Sequence, residues 1–120
     1  MGARAAVMLK EEDIGLNIYE KILGIICLSY PLHRVKSTKD LRSEPLQHCK
    51  KPLFFLSGTK DEMCNKEVFE KVLLDLKAPY KIQWLQGYDH SAKSRENFEE
   101  HAYISAFQTL LNWCQVISNK

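Results

Sequence analysis

Three apolar segments alternate with helical ones, and this alternation narrows the folds open to the chain more than any other feature. From Ile22 to Ser29 the sequence reads ILGIICLS, an isoleucine-rich run with almost no alternation of apolar and polar side chains, which predicts a strand covered on both faces. PLFFLSG, Pro52 to Gly58, has the same character. KIQWLQG, Lys81 to Gly87, alternates Lys81 and Gln83 with Ile82 and Trp84, the pattern of a strand at a sheet edge. Between the second and third strands Val68, Phe69, Val72, Leu73 and Leu76 recur at helical spacing until Ala78 and Pro79 stop the helix. A second helical pattern carries Tyr103, Phe107, Leu110, Leu111, Cys114 and Ile117. Strand, helix, strand, helix implies an α/β fold with parallel pairing and helices on both faces. The polar segment Tyr30 to Lys51, interrupted by Pro31 and Pro45, predicts only a short helix around Thr38 to Arg42.

Composition removes several functional classes. The 120 residues suit one domain, and 45% apolar with 27% charged residues is the balance of a chain that folds. Seventeen Lys and Arg against fifteen Asp and Glu leave +2, with the signs interleaved, so no nucleic-acid partner is expected. The basic-leaning stretch His33 to Lys51 also holds Asp40 and Glu44 and reads as a solvated loop. No apolar run approaches the roughly 20 residues of a membrane span, and no signal-peptide pattern opens the chain, so the expected location is cytoplasmic or nuclear. Cys27, Cys49, Cys64 and Cys114 form no C-x-x-C pair and read as free thiols. With no H-x-x-x-H or Cys and His cluster, neither metal nor cofactor is expected.

Two strands end in residues that can work together, the second in SGTKDE with Asp61 and the third in QGYDHS with His90. Parallel strands deliver such loops to one rim, where a carboxylate can orient an imidazole and stabilise its cation. Two alternatives stand beside this. Thr59 to Glu62 fits a capping box that would place Asp61 in a helix's first turn, and Asp89 is a competing carboxylate, although a sequence neighbour of His90 usually points elsewhere. Tyr30 and His33, in YPLH after the first strand, are pocket candidates at the same rim.

An Asp and His pair needs a nucleophile, and no serine fits. Ser29 is followed by Tyr30 and Pro31, while Ser57 and Ser91 adjoin the acid and the base. The opening MGARAAV, however, matches the second half of a G-x-S-x-G elbow, small residues included. The first strand also has no obvious cover for its outer edge, so either another chain completes the sheet or strands are missing on its N-terminal side. A phosphoacceptor receiver domain of this length would need an acidic pair after the first strand, whereas Glu11, Glu12 and Asp13 follow a helical stretch.

Four stretches carry a family resemblance: Met1 to Ala6 (MGARAA), Ile25 to His33 (IICLSYPLH), Leu53 to Cys64 (LFFLSGTKDEMC) and Ala78 to Ser91 (APYKIQWLQGYDHS). They resemble the family of testis-expressed protein 30 and subunit 3 of the non-specific lethal histone acetyltransferase complex, α/β-hydrolase-like proteins related to dienelactone hydrolases. The resemblance implies the C-terminal half of an α/β-hydrolase-type parallel sheet over residues 1–120, three strands with flanking helices, with the N-terminal strands missing. It implies Asp61 and His90 as triad acid and base, a serine just before Met1, and Met1 at the oxyanion hole. The loop SAKSR after His90 is shorter than the family's. The implied parent cleaves an ester or thioester of a small acyl substrate, whereas this chain, without the serine, is expected to be inactive. The alternative is a non-catalytic interaction module with a protein partner at the exposed sheet edge. The expectation is tested by reading the DNA upstream in frame: Gly, any residue and Ser should precede Met1, and a stop codon there would remove it.

Overall fold

The computed structural model describes residues 6–8, 11–34, 41–89 and 100–119, without the side chains of residues 11 and 100–103. Its centre is the strand β2 (Leu53–Gly58), LFFLSG, in which all six residues are buried. β2 pairs in parallel with β1 (Ile25–Leu28) on one side and β3 (Tyr80–Leu85) on the other, giving the order β1-β2-β3. Residues 6–8 are helical, and α1 (Glu11–Ile14) and α2 (Leu16–Lys21), joined by a bend at Gly15 with φ 86°, precede β1. α3 (Glu44–His48) precedes β2, α4 (Lys66–Leu74) crosses to β3, and α5 (Glu100–Ser118) follows. The expected three-stranded parallel α/β sheet with flanking helices is therefore present.

The pairing register sorts the side chains onto two faces. Cys27, Phe55 and Ile82 stand in one row, with Ser57 beside Trp84 in the next, and this face packs under α3 and α4. Its centre is aromatic: Phe69 of α4 meets Phe55 edge-on at 5.1 Å and Trp84 edge-on at 6.1 Å, and stacks on Tyr30 at 6.3 Å. Each such pair contributes about 0.5–1.5 kcal/mol beyond its buried area. On the other face Phe54, Leu56, Leu85 and Tyr88 pack against Ala106, Leu110 and Trp113 of α5.

α4 begins at Asn65, whose side chain accepts from Val68 N at 3.1 Å. The capping box weighed as an alternative at Thr59 to Glu62 does not form, because those residues turn instead of starting a helix. Of the short helix expected around Thr38 to Arg42, residues 38–40 lie outside the described residues and 41 and 42 are not helical; a short helix, α3, follows at Glu44–His48. Pro45 sits in its first turn, where the missing N–H has no partner to lose.

β1 differs from expectation on one face. Cys27 is fully buried, but Ile26 and Leu28 are 40% and 60% exposed. They share the face of Phe54 and Leu56, where one helix, about 10 Å wide, spans only two strands spaced about 4.8 Å apart. α5 covers β2 and β3 and leaves β1 open. Phe107 and Leu111, read as part of the helical pattern, point away from the sheet and are exposed. Toward its C-terminal end α5 reaches the start of β1, where a Cβ on Gly24 would come within 2.7 Å of the Trp113 ring and 2.9 Å of Ile117.

The tightest approach is at Gly58, where a Cβ would overlap the carbonyl oxygen of Tyr88. That obstacle is backbone, so it cannot swing aside. Gly58→Ala should cost about 3 kcal/mol in urea denaturation, the upper end of overpacking penalties. Gly87→Ala, at φ 82° but with nothing within 4 Å of the added carbon, should cost only about 1 kcal/mol. Equal costs would show that backbone conformation, and not the contact with Tyr88, governs Gly58.

Candidate functional site

Asp61 stands just past the carboxyl end of β2 and is 5% exposed. A turn puts it there, with Asp61 N donating to Gly58 O at 3.2 Å. The carboxylate then folds over the following peptides: Oδ1 accepts from Met63 N at 2.8 Å, and the Asp61 carbonyl accepts from Cys64 N at 3.3 Å. A short acidic side chain followed by polar turn residues favours this arrangement, in which the carboxylate takes a backbone N–H that a helix or strand would otherwise use.

The loop is fastened to the chain leaving β3. Thr59 N donates to Leu85 O at 3.0 Å, Lys60 N donates to Tyr88 O at 2.9 Å, and Gly87 N donates to the Thr59 hydroxyl at 2.8 Å. Tyr88 is 1% exposed, and its backbone lies against Gly58. Asp89, half-buried, follows directly. His90 and Met1 lie outside the described residues, as do residues 91–95 of the loop SAKSR. Thr59 was not singled out in the sequence as a clamp. Its position directly after a strand-ending glycine is the signal that was there to use.

Tyr30 and His33 are both in the interior. Tyr30 is fully buried between Phe55 and Phe69 and donates its hydroxyl to Arg42 O at 2.8 Å. The chain reaches it through Ser29, at a positive φ of 55°. His33 is 2% exposed; its Nδ1 lies 2.8 Å from Arg34 O, and its Nε2 accepts from Asn65 N at 2.9 Å. Because Nε2 must accept, the proton sits on Nδ1 and the ring is neutral. Both side chains fasten loops.

An open groove of about 1190 Å³ lies elsewhere. Val7, Leu16, Tyr19, Ile25, His48 and Lys51 are among its lining, at the amino end of the strands. Open parallel sheets bind ligands at their carboxyl ends, so this groove is at the wrong end for chemistry at Asp61. Among the described residues no group of three His, Cys, Asp or Glu side chains could hold a metal ion, and no helix is long and apolar enough to cross a membrane. Beneath Asp61, Cys64 is buried, and its thiol is pushed up to about 12 by burial and then by the Asp61 charge. The Ser57 side chain and the Leu32 backbone act the other way on that thiol. Ser57 Oγ, also buried, makes no hydrogen bond of good geometry among the described residues. Burial, with the neighbouring Cys49, pushes the Cys27 thiol up to about 12 as well.

A family model described as alpha/beta hydrolase domain matches residues 1–115. No solved structure matches the chain.

The thiols supply a pH-dependent expectation. With folded values near 12 against an ordinary 9.0, Cys27 and Cys64 hold their protons in the native state where the unfolded chain has lost them. Stability is therefore unaffected below about pH 9 and drains away as pH rises from there toward 12. At pH 8 the thiolate fraction at each is about one in ten thousand. Ellman's reagent should label the half-exposed Cys114 and reach Cys27 and Cys64 only after denaturant is added; rapid native labelling of Cys64 would contradict its buried placement.

Proposed function

Because the chain belongs to the alpha/beta hydrolase domain family, we propose that its partial α/β-hydrolase sheet carries the acid and base of a serine hydrolase acting on ester or thioester bonds. Within that family we assign it to the branch of testis-expressed protein 30 and the non-specific lethal complex subunit. The carrying observation is the buried Asp61 on a loop hydrogen-bonded at three points to the turn that ends at Tyr88, two residues before His90 in sequence. A serine preceding Met1 attacks the acyl carbon while His90 takes its proton. Asp61 orients the imidazole and stabilises the cation. The oxyanion is met by the backbone amide of Met1, next to the serine. His90 returns the proton to the departing alcohol or thiol, and water then releases the acid by the same steps.

The exposed Ile26 and Leu28 of β1 favour a second reading, in which the sheet serves as an interaction module with a protein partner on that flank. One experiment separates the two. The complete protein should be labelled by a fluorophosphonate, and Asp61→Asn should lower its esterase kcat by about 10³–10⁴-fold. Failure to label, with a partner that copurifies stably, would replace the enzyme by the module. Esterase activity in the 120-residue chain alone, abolished by His90→Ala, would overturn the assignment of the nucleophile.

A further inference from the structure

The Asp61 carboxylate grips the Met63 peptide, and the place of that peptide bears on its own. Met63 is held at both ends: its N–H donates to Asp61 Oδ1 at 2.8 Å, and its carbonyl accepts from His33 N at 3.0 Å. Two residues on, the same histidine takes Asn65 N–H on its ring Nε2. Cys64, between these two bonds, is buried against the Leu32 backbone and Ser57. His33 itself cannot drift, because Nδ1–H is tied to Arg34 O, Leu32 O accepts from Arg42 N at 2.7 Å, and the Tyr30 hydroxyl holds Arg42 O. Asn65 in turn caps α4. One buried ring thus fixes the far end of the short loop whose near end is pinned to Gly58.

We propose that His33 is a positioning residue for the Asp61 carboxylate, acting through Met63 and Asn65. The proposal rests on the reading of Asp61 as the triad acid. It specifies which atom of the ring matters: Nε2, which reaches the loop of Asp61, and not Nδ1, which reaches only its own chain neighbour. This separates positioning from filling space. Gln can present an amide oxygen near the place of Nε2, whereas Asn, one methylene shorter, reaches only to the place of Nδ1.

The test uses the complete protein with His33→Gln, His33→Asn and His33→Ala, and reads amide hydrogen exchange together with p-nitrophenyl acetate hydrolysis. Exchange at Met63 and Asn65 should quicken about fivefold to tenfold in the Asn and Ala variants, as for one lost hydrogen bond, and return close to wild type in Gln. The amides of β2 should not change. The kcat should fall in Asn with KM unchanged and recover in Gln. Unaltered Met63 exchange in all variants would overturn the proposal, as would equal acceleration at Met63 and throughout β2, which marks general loosening. If Ala does not fold, the contrast between Gln and Asn still decides. If Met63 responds as stated but the complete protein hydrolyses nothing, His33 still holds Asp61, and it is the hydrolase reading that fails.

Discussion

The contact between Gly58 and the backbone of Tyr88 is the one that the site depends on. Two loops leave neighbouring parallel strands, and with any side chain at position 58 they would be held apart by at least the width of a methyl group. Their closeness lets Thr59 and Lys60 reach the turn after β3 with three hydrogen bonds. Such a bond is worth only about 0.5–1.5 kcal/mol net. Three acting on one turn nevertheless leave it little freedom.

Much of this was legible in the sequence, for reasons that can be named. β2 and α4 follow from patterning, because a strand buried on both faces and a helix buried on one leave different periodicities. The place of Asp61 followed from topology: once the strands are parallel, whatever follows a strand lies at their carboxyl ends. The roles of Tyr30 and His33 were not legible, because sequence shows that a residue follows a strand but not whether its side chain turns toward solvent or inward. That depends on Ser29, a non-glycine residue at positive φ that sends the chain under Phe55 and Phe69. The outward set of Phe107 and Leu111 was hidden for a related reason: a helix with apolar residues on several sides does not declare which side the sheet receives.

The two faces of the sheet are unequal. The α4 side is a continuous aromatic cluster from Tyr30 to Trp84, and there the chain is closed. The α5 side rests on Phe54 and Trp113, at 5.5 Å, and stops short of β1. The polar machinery follows the same division. His33, Cys64 and Ser57 lie on the same side, beneath the Asp61 loop, so Asp61 rests on the better-packed half of the molecule and the exposed apolar side chains of β1 on the other.

The seat of Trp113 and Ile117 on Gly24 has a consequence for how the chain is made. A ribosome releases β1 long before α5, yet α5 supplies what rests on the approach to β1. The loop that carries Asp61 likewise gains its fasteners only once Tyr88 has emerged. Nascent chains usually fold behind the ribosome as units become complete. Here β1 must wait for a helix made much later, and during that interval Gly24 and Phe54, on which Trp113 comes to rest, are the surface that a chaperone would meet.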